Sequence, residues 1–237
     1  MTVGLQTRKK ESWKIFDEIA KTYDLLNRIL SMGIDVYWRH KLLKFLPNRK
    51  NIVALDLATG TGDVPLVLVK APEISKIIGM DLSKGMVNIG KDKIKKRGLD
   101  HIVDLRIGDG TDISLPDESV DMVTISFGIR NFSDPKKSLR EIKRVLRPGG
   151  RLQIMEFSIP SNWFFRKVYF FYFRNLLPFV GNIISGHKDA YTYLNHTVED
   201  FAYGEEFEGW MKEAGFVSTA FKPLTFGIAT LYIGDKA

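Results

Sequence analysis

One stretch constrains this 237-residue chain more than any other: Leu55-Asp56-Leu57-Ala58-Thr59-Gly60-Thr61-Gly62-Asp63. Ile52 to Ala58 reads as a buried strand, and Val64 to Val69 as the start of an apolar helix. An acid therefore lies inside a strand, and a glycine-rich turn leads into a helix. Gly60 and Gly62 carry no Cβ, so a ligand can approach the backbone closely. A helix N-terminus behind the turn favours a negative group. Two ligand folds share this pattern. A dinucleotide fingerprint needs a small third residue for tight helix–strand packing, and Pro65 stands there. The other is an S-adenosylmethionine fold, in which Asp63 would suit the ammonium of a methionine moiety and would repel a pyrophosphate. Asp56, Gly60 and Gly62 become cofactor-binding candidates. A tight turn without a ligand is the plain alternative.

The elements that follow match a nucleotide fold. Lys76 to Asp81 reads as a second strand, and Asp81 at its end can accept both ribose hydroxyls in either cofactor. Ser83 predicts an N-cap for a helix from Lys84 to Arg97, with Gly98 as its stop. Ile102 to Ile107 gives a third strand, and Asp109 just past it can accept the adenine amino hydrogens. Val120 to Ser126 is the fourth strand. It runs into Phe127-Gly128-Ile129-Arg130-Asn131, where reacting groups belong, because ligands bind outside the carboxyl ends of parallel strands. Leu139, Ile142, Val145 and Leu146 make one helical face, and Arg151 to Phe157 is strand five. The repeated alternation predicts a doubly wound, Rossmann-like α/β sheet. A helix from Glu205 to Ala214 and strands at Phe216–Phe221 and Thr230–Ile233 complete seven strands, mostly parallel with the last antiparallel.

Two helices precede the sheet. Phe16, Ile19, Ala20, Tyr23, Leu26, Asn27 and Leu30 recur at helical spacing, and Met32-Gly33 ends that run. The second helix covers roughly Val36 to Leu46, before Pro47. Within a single domain the divisions are a helical cap (1–47), a cofactor core (48–159), an insertion (160–204) and a C-terminal helix with strands (205–237). The cap either covers a ligand pocket or packs plainly on the sheet.

Composition removes several chemistries. With no cysteine there are no disulfides, thiolate zinc sites or cysteine nucleophiles. The four histidines lack metal-ligand spacing, so no metal is expected. A net charge of +7 fits nucleic acid, an anionic membrane surface or a solubilising bias. Lys91, Lys93, Lys95, Lys96 and Arg97 read as the solvated face and end of one helix. No apolar run has transmembrane length, and Met1 to Ser12 lacks the apolar core of a signal peptide. The reading is a cytoplasmic protein, peripheral at the inner face of the cell membrane.

The insertion carries Trp163-Phe164-Phe165-Arg166-Lys167-Val168-Tyr169-Phe170-Phe171-Tyr172-Phe173-Arg174. On a helical wheel Arg166, Lys167 and Arg174 fall within about one hundred degrees, and the rest is mostly aromatic. An interfacial helix or an apolar-substrate lid suits both features. A core helix with snorkelling cations is the alternative.

Taken together, the chain resembles the demethylmenaquinone and ubiquinone-pathway C-methyltransferases, a branch of the class I S-adenosylmethionine methyltransferases. The resemblance spans roughly Phe16 to the C-terminus. It is carried by Tyr23-Asp24-Leu25-Leu26-Asn27-Arg28-Ile29-Leu30-Ser31-Met32-Gly33, by Ile125 to Asn131, and by Arg144 to Leu152 followed by Glu156-Phe157-Ser158. The family usually has methionine where Leu26 stands and histidine where Asp35 stands. Asp35 reads here as a helix N-cap. The resemblance implies S-adenosylmethionine as cofactor, with contacts at Thr61, Asp81, Asp109, Gly110 and Ser126.

The implied reaction adds a methyl group to a ring carbon of a reduced polyprenyl quinone: demethylmenaquinol, or alternatively a 2-polyprenyl-6-methoxy-1,4-benzoquinol. A hydroquinone carbon ortho to a phenolate is nucleophilic, whereas a quinone carbon is electron-poor. Arg130, always charged, is the candidate for phenolate stabilisation and can orient a water that takes the proton. Asn131 and Tyr23 are candidates to position substrate oxygens. His187, near Asp189, is either a general base or a polar loop residue. The implied partners are a polyprenyl quinol and a membrane surface, with no nucleic acid; a homodimer is allowed. Competing classes are an RNA methyltransferase, a nicotinamide oxidoreductase and a non-enzymatic cofactor-binding scaffold.

Overall fold

The computed structural model describes residues 12–176 and 197–237. His187, Asp189 and much of the insertion lie outside the described residues. Helices α1 (Ser12–Leu30) and α2 (Ile34–Lys41), the latter running into a short tight turn at Leu42–Phe45, precede the sheet. There follow β1 (Ile52–Leu57), α3 (Asp63–Leu68), β2 (Ile74–Asp81), α4 (Lys84–Lys96), β3 (Val103–Ile107) and β4 (Val120–Ser126). The rest are α5 (Pro135–Val145), β5 (Leu146–Phe157), α6 (Trp163–Phe171), α7 (Glu205–Glu213), β6 (Val217–Leu224) and β7 (Ala229–Asp235). The seven strands lie in the order β3-β2-β1-β4-β5-β7-β6, with β7 antiparallel to both neighbours. The expected Rossmann-like sheet is present.

Local chemistry accounts for the element ends. Ser83 accepts a hydrogen bond from the Met86 amide at 3.1 Å and caps α4. Asp134 caps α5 from the Lys137 amide at 2.8 Å, with Pro135 at the first helical position. Gly98 and Gly215, at φ 67° and 87°, follow their helices in the left-handed conformation that stops them. Strand β5 begins earlier than the sequence suggests, because Leu146 already pairs with Val120.

The sheet buries both faces. Leu139, Ile142 and Val145 of α5 and Phe207 and Met211 of α7 pack on one side. Trp38, Val64, Leu68, Val87 and Ile94 from α2, α3 and α4 pack on the other. A third, smaller cluster joins Ile19 and Leu26 of α1 to Tyr169 of α6, with Phe173 and Val198.

The N-terminal helices are tied down by charge. Asp35 is not an N-cap. Gly33 occupies that position, and the buried Asp35 carboxylate instead receives Arg28, Arg39 and the Ser31 hydroxyl. Arg28 also reaches Asp63 at 2.9 Å, and Lys93 bridges Asp63 and Asp24 at 2.9 and 2.8 Å. Residues far apart in sequence thus fasten α1 and α2 to the start of α3 and to α4.

Candidate functional site

The strand order reverses between β1 and β4, and a crevice opens there at the carboxyl ends, as in open α/β sheets generally. Each strand is followed at once by a non-glycine residue in the left-handed region: Ala58 at φ 51° and Phe127 at φ 60°. Such conformations persist only where the surroundings enforce them, and they gather at ligand sites. A Cβ on Gly128 would stand 2.4 Å from the Ala58 Cβ, so the two turns can cross this closely only with glycine there.

A cavity of about 340 Å³ occupies the crevice. Gly60, Asp81, Asp109, Gly110, Ser126 and Asn131, all expected from sequence, line it. Asp81 accepts the Gly60 amide at 2.8 Å and the Ser83 amide at 2.9 Å, one on each oxygen. It therefore pins the glycine turn to the end of β2. A carboxylate offers about four acceptor sites, which leaves capacity for two ligand hydroxyls. Burial raises its pKa above the ordinary carboxylate value, opposed by those amides. Ser126 Oγ and Asn131 Oδ1 are buried without a hydrogen-bond partner. Buried polar groups are rarely left so, and a bound polar ligand would satisfy both. The residues fit a nucleoside cofactor.

Three expected cofactor residues do not line this cavity. Asp56 is buried in β1, where it accepts the Thr124 hydroxyl at 2.6 Å and leaves its second oxygen without a partner. The Thr61 hydroxyl donates to Asp24 at 2.5 Å and lies 3.1 Å from Lys93 Nζ. Gly62, at φ 84°, makes the turn into α3. Asp63 is likewise turned away from any ligand ammonium. Burial pushes its carboxyl up, but Arg39, Lys93 and Arg28 outweigh that and hold it below the usual range.

Asp56 has a consequence for stability. Burial pushes its carboxyl from 3.8 up to about 7, against the Thr124 hydrogen bond. The unfolded chain loses this proton first, so folding is penalised increasingly as pH rises from the unfolded value to the folded one, and constantly above it. Asp56→Asn removes the penalty and keeps an acceptor for Thr124. Its stability advantage over the parent should grow from near zero at about pH 4 to on the order of 4 kcal/mol at about pH 7. Urea unfolding at both pH values measures it, and an equal difference at each would show that Asp56 does not titrate this way.

A second cavity, of about 320 Å³, adjoins the first and is almost wholly apolar. Phe16, Tyr23 and Phe127 line both. Leu26 and Leu30 of α1, Trp38 of α2, Phe157, and Phe165 and Tyr169 of α6 enclose the remainder. Tyr23 thus stands at the junction, and burial raises its phenol above the ordinary value of 10. It remains a hydrogen-bond donor at neutral pH.

Arg130 lines the apolar cavity and is 4% exposed. It is paired within the protein. Its Nη1 donates to Glu156 at 2.6 Å and to the Phe127 carbonyl at 2.5 Å, and its Nε has no partner. Glu156 also accepts the Phe157 amide at 2.8 Å. The guanidinium is held in place by its carboxylate and carbonyl partners, with a donor left over. Sequence reasoning missed Glu156 as its counter-charge, and missed Phe16, Phe127 and Tyr169. An acid within an apolar strand was a signal for Glu156, as it was for Asp56.

Residues 4–236 match the profile of the ubiE/COQ5 methyltransferase family. A ubiquinone/menaquinone biosynthesis C-methyltransferase of Geobacter sulfurreducens is 43% identical over 94% of this chain and 87% of its own. A demethylmenaquinone methyltransferase of Thermus thermophilus is 43% identical over 94% of this chain and all (100%) of its own. Among solved structures, an S-adenosylmethionine-dependent methyltransferase of Thermotoga maritima, described as a possible histamine N-methyltransferase, superposes with a TM-score of 0.66. It covers 95% of this chain and 99% of its own at 22% identity, a likeness of fold.

Proposed function

The chain belongs to the ubiE/COQ5 methyltransferase family, and we propose that it methylates a ring carbon of a reduced polyprenyl quinone, with demethylmenaquinol as the first candidate. The 2-polyprenyl-6-methoxy-1,4-benzoquinol is the second, since relatives carry both pathway names. The enzyme is S-adenosylmethionine-dependent. One observation carries the reading of the acceptor: a polar nucleoside cavity and an apolar cavity of similar size share a wall. A prenylated aromatic ring fits the second and can present its edge to the first.

Asp81 would hold the ribose hydroxyls, Asp109 and Gly110 the adenine end, and Ser126 and Asn131 the polar groups nearest the acceptor. When bound, S-adenosylmethionine supplies an electrophilic methyl group. The chain's own contribution is to orient the acceptor, exclude water and favour its ionised phenol. Arg130 donates to the phenolate oxygen, and charge stabilisation by a fixed donor in a dry site is worth far more than in water. Tyr23 donates from the junction. The acceptor carbon gains the methyl group and loses its hydrogen as a proton to water. Placement in a near-attack geometry supplies much of the remaining acceleration.

Delivery of the tail involves the surface of α6. Trp163, Phe164 and Phe171 are 67%, 55% and 63% exposed. Lys167 and Arg174 lie over the rings of Trp163 and Phe170 at 5.1 and 4.4 Å. Phe165 stacks at 4.2 Å on Phe226, itself exposed, and also lines the apolar cavity. An aromatic surface with cations, continuous with the cavity, suits the interface of an anionic bilayer. No helix among the described residues is long and apolar enough to cross a membrane. Replacing Trp163, Phe164 and Phe171 together by serine should weaken binding to anionic vesicles at least about tenfold, because full burial of even one such side chain contributes ~1.5 kcal/mol or more. Co-sedimentation measures this, and unchanged binding would place the contact elsewhere.

The function itself is tested with purified protein, S-adenosylmethionine and a chemically reduced, short-tailed demethylmenaquinol. A methylated quinol and thermal stabilisation by S-adenosylmethionine but not NAD are expected. Methylation of RNA in place of quinol would refute the reading.

A further inference from the structure

The lid helix α6 brings one polar group into the apolar cavity that the reaction described above leaves without a task. Tyr169 is 5% exposed, lines that cavity, and its hydroxyl has no hydrogen-bond partner. Its ring stacks on Phe173 at 4.9 Å, so the side chain is held rather than free to turn toward water. Tyr172, which follows the helix and lines the same cavity, gives the contrast. Its hydroxyl donates to the Leu30 carbonyl of α1 and is satisfied within the protein. A buried hydroxyl without a partner costs stability, and a phenylalanine would fill the same space without that cost. Among the described residues lining this cavity, Arg130 Nε is a second buried donor without a partner. Arg130 follows β4 and adjoins Asn131 of the cofactor cavity, whereas Tyr169 comes from the insertion.

We infer that Tyr169 Oη is a substrate-binding donor that takes the hydroquinone oxygen lying across the ring from the one Arg130 holds. The inference rests on the quinol reading of the site. A 1,4-hydroquinone carries its oxygens at opposite ends of the ring. The oxygen beside the accepting carbon must face the shared wall and Arg130, so its counterpart points away from the cofactor cavity. In an enclosure whose walls are mostly apolar that second oxygen would lose its hydrogen bonds to water, and the unpartnered hydroxyl of Tyr169 replaces them. The same pairing selects for ring type, because a site built to bind a hydroxyl rejects an analogue that lacks it.

The test compares wild type, Tyr169→Phe and Tyr172→Phe, each titrated anaerobically with two short-tailed probes. One is a prenylated 1,4-naphthohydroquinone without the ring methyl. The other lacks only the hydroxyl remote from the accepting carbon. Tyr169→Phe should weaken the dihydroxy probe about tenfold and leave the monohydroxy probe unchanged. Its S-adenosylmethionine affinity should be unaltered, and its melting temperature should not fall. Tyr172→Phe should not distinguish the two probes. Equal weakening of both probes by Tyr169→Phe, or of neither, overturns the assignment, and so does the same discrimination by Tyr172→Phe. If wild type binds S-adenosylmethionine but neither probe, the quinol reading itself fails and the assignment falls with it.

Discussion

Arg130→Lys is expected to lower single-turnover methylation about a hundredfold while the protein stays folded, since removal of one fixed charge-stabilising donor has that scale of effect. Lysine keeps a positive charge near Glu156, which is 1% exposed and needs one. It cannot keep both the Nη1 bonds to Glu156 and the Phe127 carbonyl and the spare Nε donor, because an ammonium on a flexible stem is not a planar fork. Arg130→Ala should lose at least as much. The parent's rate should rise with pH as bound quinol ionises, and in both variants that rise should move to higher pH. Rates measured with a reduced quinol across pH decide the matter. A near-normal rate with an unshifted profile in Arg130→Lys would make Arg130 a structural residue.

Glu156→Ala should be the most destabilising of the substitutions considered, by about 3–5 kcal/mol, the usual cost of leaving one member of a buried ion pair alone. Arg130 would remain, 4% exposed, with only the Phe127 carbonyl to accept from it. The Phe157 amide would lose its acceptor as well. Replacing both members, with Arg130→Met and Glu156→Leu, should recover most of that loss and remain inactive. This contrast separates the cost of an isolated charge from the worth of the pair. Urea unfolding is the measurement, and a loss below about 1 kcal/mol in Glu156→Ala would mean that the guanidinium finds another partner or water.

The sheet was legible because its signals are local. A buried apolar run, a glycine turn and a capping Ser83 lie within a few positions of one another, and the period switches cleanly from strand to helix. Asp81 and Asp109 were legible as cavity-lining acids for the same reason, since Asp81 ends a strand and Asp109 stands just past one. Asp35 and Asp63 were not. An acid in a first helical turn satisfies local rules as a cap or a dipole partner. Its actual partners, Arg28 for both and Lys93 for Asp63, are fixed by how α1 and α4 pack, which no short window contains. Tyr169 was hidden differently. In a nearly unbroken aromatic run no periodicity tells the buried positions, Tyr169 and Phe173, from their neighbours, and only α1 packed against this segment distinguishes them.

One helix, α1, supplies Phe16 and Tyr23 to both cavities and is fastened by Asp24 to Thr61 beside the glycine turn. The two ligands therefore share a wall rather than occupy independent rooms. A first ligand that steadies these turns of α1 has already met an ordering cost, and the second binds with that much less to offset. Such coupling is reciprocal by thermodynamic necessity: whatever factor the quinol adds to cofactor affinity, the cofactor adds to quinol affinity. After transfer the same linkage works in reverse. Departure of either product loosens the wall holding the other, so turnover empties the two cavities as a linked pair.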